Sequence, residues 1–141
     1  MIILDTNVVS EPMRANANPA VQAWLDQQSA ETLFLTATSL SELLVGIELL
    51  PSGKRRDGLA AALADILERL FGARILPFDK PAAVAYAPLI GKARSTGGVI
   101  SLADAQIAAI ATSHEFKVAT RDTQPFIAAG VPVINPWVTV T

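Results

Sequence analysis

The sequence contains no cysteine. Disulfides and thiolate metal sites are thereby excluded, and a reducing, cytoplasmic setting is expected. Histidine occurs once, as His114, which rules out a catalytic histidine pair within one chain and a zinc site built on several His ligands. His114 falls near the end of a helical run, where a cation suits the helix macrodipole, and it is read as structural. No stretch reaches the roughly 18 uninterrupted apolar residues of a membrane span; the best candidate, "LAAALADIL", carries Asp65. At the amino terminus Asp5 interrupts the apolar run before the core of a secretory signal forms, and no basic segment precedes it, so no signal is expected there. Basic excess is also missing: the net charge is −2 and the isoelectric point is near 5.3, which weighs against a generic nucleic-acid binder. No basic stripe interleaved with aromatics is visible, so recognition by base stacking is not expected.

What remains is a core-rich chain of 141 residues with 51% hydrophobic residues. That suits one domain over residues 1–141, able to bury roughly 68–70% of its unfolded surface. Short apolar runs alternate with longer amphipathic ones. "IIL" reads as a buried strand and "NVVSEPMR" as a short helix. "NPAVQAWLDQQ" opens with Asn18 as a cap and Pro19 in the first turn. "TLFLTA" is a second strand, "SLSELLVGIELL" (39–50) a helix stopped by Pro51, and "PSGKRRDG" a polar loop leading into the helix "LAAALADILERLF", which Gly72 closes. "RILPF" is a short strand. "KPAAVAYAPLIGKARSTGG" is helical, with a disturbance at Pro88 and a stop at Gly97-Gly98. "SLADAQIAAIATSHEF" is a helix, "KVAT" a strand, "TQPFIAAG" a short helix and "VPVI" the last strand. This alternation predicts a three-layer α/β/α sandwich around a mostly parallel central sheet. The strands are apolar throughout, as expected where both faces are covered.

Ligands of open parallel sheets bind beyond the carboxyl ends of the strands. Asp5 directly follows the first strand, and Asp122 follows "KVAT" after one residue. Glu42 shares a helical stripe with Val45, Gly46 and Leu49, and Asp104 shares one with Ile107, Ala108 and Ala111. Each acid singly has a plain structural role open to it. Ser39-x-x-Glu42 and Ser101-x-x-Asp104 match the capping box, while Asp5 and Asp122 could each cap the helix that follows. Together, four acids opening helices at one sheet edge form a self-repelling group that is costly to bury without a counter-charge. Mg²⁺ or Mn²⁺ would relieve that repulsion through oxygen ligands, and such a site suits chemistry at a phosphate.

The segments "ILDTNVVSE", "SLSELLVGIELL", "SLADAQIAAIA" and "VATRDTQPF" resemble, in order and spacing, the PIN-domain ribonucleases. More narrowly, "LDTNVVSEPMR", "ILPFDKPAA" and "NPW" resemble VapC-type toxins of the FitB-like branch. The resemblance spans essentially the whole chain. It implies a PIN-like α/β/α fold and Mg²⁺- or Mn²⁺-dependent cleavage of RNA. It implies Asp5 and Asp104 as the principal metal ligands. Glu42 and Asp122 would hold a second metal, bind through water or orient the attacking water, with Thr6, Asn7 and Thr120 supporting them. It implies a cognate antitoxin, a segment of which lies in the active-site groove, and a toxin homodimer.

With four of the 13 acids assigned to this site, 11 cations face nine acids. Lys54, Arg55 and Arg56 form a basic cluster, and Lys92, Arg94 and Arg121 are further candidates for phosphate contacts, although solvated side chains would look the same. Leu49, Leu50 and Tyr86 suit either an interface or, as expected here, the core. A response-regulator receiver would need an acidic pair after the first strand, and a haloacid-dehalogenase-type phosphatase a second Asp where Asn7 stands. The remaining alternative is a catalytically silent PIN-like module that binds RNA or a partner without cutting.

Overall fold

In a computed structural model the described residues are 1–138; residues 139–141 of the expected domain lie outside them. Five strands form one sheet: β1 (Ile2–Leu4), β2 (Leu33–Thr36), β3 (Ile75–Leu76), β4 (Lys117–Ala119) and β5 (Val133–Ile134). Their order is β3-β2-β1-β4-β5 and all four pairings are parallel. Ile2 is in register with Leu33 on one side and with Lys117 on the other. β1 is therefore central. The chain moves outward from it through β2 to β3, then crosses to β4 on its far side. The carboxyl end of the β1–β4 pair is thus the topological switch point, where open α/β sheets form their crevice.

The pleat sorts the strand side chains into two cores. Ile3 and Val118 face one layer, with Phe34, Leu76 and Val133 packed against it. Leu4, Leu33, Leu35 and Ala119 face the other. The first core is closed by helices α5 (Lys80–Ser95), α6 (Leu102–His114) and α7 (Gln124–Ala128) through Leu89, Ile107, Ile110 and Phe126. The second is closed by α1 (Thr6–Ser10), α3 (Ala37–Glu48) and α4 (Lys54–Ile66) through Val8, Val9, Leu43 and Leu63. Helix α2 (Pro19–Asp26) adds Trp24 and Leu25 at that core's margin. Burying both sheet faces explains strands without polar alternation. This is the expected three-layer α/β/α arrangement.

Some local expectations hold and others need correction. Asn18 caps α2 as its sequence indicates, its side-chain oxygen accepting from the Ala20 N–H at 2.8 Å. The polar stretch 51–58 is not all loop: α4 already begins at Lys54, because Lys and Arg are good helix formers on an exposed face. Pro88 does not disturb α5, which runs through it to Ser95. Val84, whose carbonyl loses its helical partner, is 67% exposed, so water can take the place of the missing N–H. Helix α3 starts two residues earlier than expected, capped by Thr36, whose hydroxyl accepts from the Ser39 N–H at 3.0 Å. Leu49 is not core; it terminates α3 and is 79% exposed. Leu50 and Tyr86 are half-buried, Tyr86 packed against the first core.

Candidate functional site

Asp5 follows β1 without a spacer. Its N–H donates to the Ala119 carbonyl of β4 at 2.9 Å, so the residue is fixed by the sheet itself. Its carboxylate accepts from the Thr6 N–H at 2.8 Å and from the Thr120 hydroxyl at 2.8 Å. Asp5 therefore caps α1, but only one oxygen does so; the other is held across the β1–β4 seam. The side chain is buried, and burial pushes its pKa up from 3.8 to about 6, against the lowering effect of the two hydrogen bonds. The charges of Asp104 and Glu42 add to the rise.

Asp104 lies in the first turn of α6. Ser101 caps that helix, its hydroxyl accepting from the Asp104 N–H at 3.1 Å. Ile107, Ala108 and Ala111 on the same stripe are buried, so α6 is pressed onto the sheet with Asp104 at its edge. Burial raises the Asp104 pKa, and the charges of Asp122 and Glu42 raise it further, opposed by its bond with Ser101.

Glu42 reaches the site differently from its sequence pattern. Val45, Gly46 and Leu49 are exposed, not buried, so the stripe lies on the surface. Glu42 is held instead by Thr6, whose hydroxyl donates to its Oε1 at 2.8 Å. Asp122 does not cap α7; Thr123 occupies that position. Its N–H donates to the Thr120 hydroxyl at 3.1 Å. Thr120 thus bridges Asp5 and Asp122, while Thr6 bridges Asp5 and Glu42. Asn7 accepts from the Arg121 N–H at 3.4 Å.

The four acids share one electrostatic neighbourhood at the switch point. No basic side chain pairs with them among the described residues; the ion pairs there are Arg14–Glu11, Arg56–Glu48 and Arg69–Asp65. Nor, among the described residues, do three carboxylates close around a single point as a ready-made cage. An all-oxygen donor set without a basic partner fits a hard divalent cation, in particular one that keeps much of its water and takes only one or two carboxylates directly.

Of the basic candidates, Lys54 and Arg55 line a groove with Thr6 and Glu42, and Lys92 lines a cleft with Asp122. Arg56 is turned away, 3.0 Å from Glu48. Arg94 is exposed in the last turn of α5. Arg121 lies over the ring of Trp137, 5.4 Å from its centroid. His114 is exposed in the last turn of α6 and stacks on Phe116 with centroids 5.2 Å apart, consistent with a structural role. Further side-chain links, not singled out in the sequence, tie the surrounding elements together. The Thr38 hydroxyl donates to Gln106 at 3.0 Å, tying α3 to α6. Buried Glu11 accepts from the Asn18 N–H at 3.1 Å and from Arg14 at 3.3 Å. The Thr38–Gln106 link, 68 residues apart, has no signature in local spacing, whereas the Glu11–Arg14 pair sits at the ordinary i,i+3 spacing.

Comparison with known proteins identifies the family. The chain is 50% identical to VapC ribonuclease Y4jK of Sinorhizobium fredii, over 97% of this chain and 98% of that protein. It is 47% identical to toxin FitB of Neisseria gonorrhoeae, over 97% and 99%. The crystal structure of FitAcB from Neisseria gonorrhoeae superposes with a TM-score of 0.91 at 47% identity, covering 97% of this chain and 99% of that one. The family described as PIN domain matches residues 2–131, and the chain therefore belongs to the PIN-domain family.

Proposed function

We propose that this chain is a divalent-metal-dependent endoribonuclease and the toxin of a toxin–antitoxin pair, hydrolysing RNA phosphodiester bonds at the Asp5, Glu42, Asp104 and Asp122 cluster. The observation that carries the reading is that Asp5, Glu42, Asp104 and Asp122 feel one another's charge at the switch point of a PIN-family sheet, with no basic side chain paired to them among the described residues. A relative named VapC ribonuclease, 50% identical over 97% of this chain, supports it.

A bound Mg²⁺ or Mn²⁺ would supply Lewis acidity, placing positive charge against the scissile phosphate and acidifying the attacking water. The protein's own share is positional. Asp5 and Asp104, set on the sheet and on a buried helix, would be the principal ligands. Glu42, held by Thr6, and Asp122, linked to Thr120, would orient water or take a second ion. Thr6 and Thr120 keep the acids from splaying under mutual repulsion, and Asn7 fixes the backbone next to Asp122.

The same reading includes a cognate antitoxin as partner, a toxin homodimer, one domain and a cytoplasmic location. Exposed Leu44, Val45 and Leu49 on α3 suit an interface. No helix among the described residues is long and apolar enough to cross a membrane. The test is incubation of the purified protein, free of antitoxin, with total RNA and Mn²⁺, followed by sequencing of new 5′ ends. Fragments from the native chain and none from Asp104→Asn are expected. Identical patterns from both, or binding without fragments at any metal concentration, would replace the nuclease with a silent binding module.

A further inference from the structure

Two clefts reach the acidic edge, one from each helical layer. The larger, about 870 Å³, runs between α1, α3 and α4, with Thr6 and Glu42 at the site and Arg14, Lys54 and Arg55 along it. The smaller, about 580 Å³, runs between α5 and α7 and contains Asp122 and Lys92. The helix period of α4 sorts its basic run. Lys54, Arg55, Gly58 and Ala62 face the larger cleft, whereas Arg56 lies on the opposite side against Glu48. Lys54 and Arg55 have no acidic partner among the described residues.

The larger cleft has a second feature that the fold does not require. Gly46 of α3 and Gly58 of α4 both line it. Neither has a positive φ, and a Cβ on either would meet nothing within 4 Å. Glycine within a helix is destabilising relative to alanine, and here neither backbone conformation nor packing compensates. Their effect is to keep the groove walls low beside unpaired cations, which suits close approach by a polyanion.

We infer that the two clefts are the halves of one track for single-stranded RNA crossing the acids, with Lys54 and Arg55 contacting phosphates on one flank of the cut and Lys92 on the other. The inference rests on the nuclease reading. It accounts for how an acidic protein holds a polyanion over four carboxylates: the cations lie along the approaches, outside the reacting centre.

The test uses the purified full chain with Mn²⁺ and a single-stranded RNA carrying one mapped cut site, together with versions shortened on either side of that site. Lys54→Gln/Arg55→Gln should raise KM with kcat unchanged and flatten the dependence of log KM on log salt by about 1.4, Lys92→Gln by about 0.7, at roughly 0.7 per phosphate contact on a single strand. Trimming one flank should abolish the penalty of the double variant and trimming the other that of Lys92→Gln. Arg56→Gln should match the native chain. Gly58→Leu should raise KM without lowering Tm. Equal penalties from Arg56→Gln, penalties that survive trimming of both flanks, or unchanged RNA kinetics alongside weakened binding of a partner protein would overturn the track while leaving the nuclease intact. A native chain that cleaves no RNA would remove both.

Discussion

Replacing Asp5 by Asn should stabilise the metal-free protein, and the gain should depend on pH. Asp5 is 6% exposed, and its pKa rises from 3.8 to about 6 on folding. A carboxyl group whose folded pKa is raised binds its proton more tightly in the native state. It costs nothing below the unfolded pKa; stability then falls as pH rises from 3.8 to about 6, and the full cost persists above that. At about 1.4 kcal/mol per pH unit the cost is about 3 kcal/mol at pH 8, and roughly half of that at pH 5. Asparagine removes the charge and can still accept from the Thr6 N–H and bond with the Thr120 hydroxyl. Urea denaturation of both proteins in a chelator, at pH 4, 5, 6 and 8, should show a stability gap opening in favour of the variant with a midpoint between 4 and 6. Mn²⁺ should narrow or reverse the gap, because a ligand at a hundredfold over its Kd returns about 2.7 kcal/mol to the form that binds it. A gap that does not change with pH, or a variant less stable at pH 8, would refute the reasoning.

Asp104→Asn should abolish Mn²⁺-dependent RNA cleavage with an unchanged far-ultraviolet circular dichroism spectrum. Thr6→Val removes the 2.8 Å hydrogen bond to Glu42 and should lower kcat by roughly ten- to a hundredfold, the equivalent of a charged hydrogen bond worth about 1.5–3 kcal/mol, with KM for RNA little changed. Leu35→Ala, at a fully buried position in the second core, should cost about 2–5 kcal/mol by urea denaturation. Trp137→Ala withdraws the ring beneath Arg121, which lies beside Asp122, and should raise KM for RNA with kcat preserved.

Legibility followed locality. "IILD" and "KVATRD" disclose strand ends with an acid beyond them, and Ser101 and Asn18 cap where their neighbours say they should, because these features are written within a turn of chain. Glu42 was singled out for a reason that does not hold. Its stripe of Val45, Gly46 and Leu49 is exposed, and the tie that holds it comes from Thr6, 36 residues away. Long-range hydroxyl bridges such as Thr120 to Asp5, 115 residues apart, have no period to detect. The basic run 54–56 looked like one patch, but helix α4 distributes it over two faces, so its charges differ in role. Leu49 suits an interface or the core by its sequence, and the expected core role fails because exposed apolar residues are common on folded surfaces.

The central claim is that Asp5 and Asp104, with Glu42 and Asp122 beside them, make a divalent-cation pocket at the end of β1. Anomalous diffraction from crystals of the protein soaked in Mn²⁺ tests it most directly. The account predicts a strong peak within coordination distance of the Asp5 and Asp104 carboxylates, lost in Asp104→Asn. Saturating Mn²⁺ with no peak there, or a peak only on surface acids elsewhere, would contradict it.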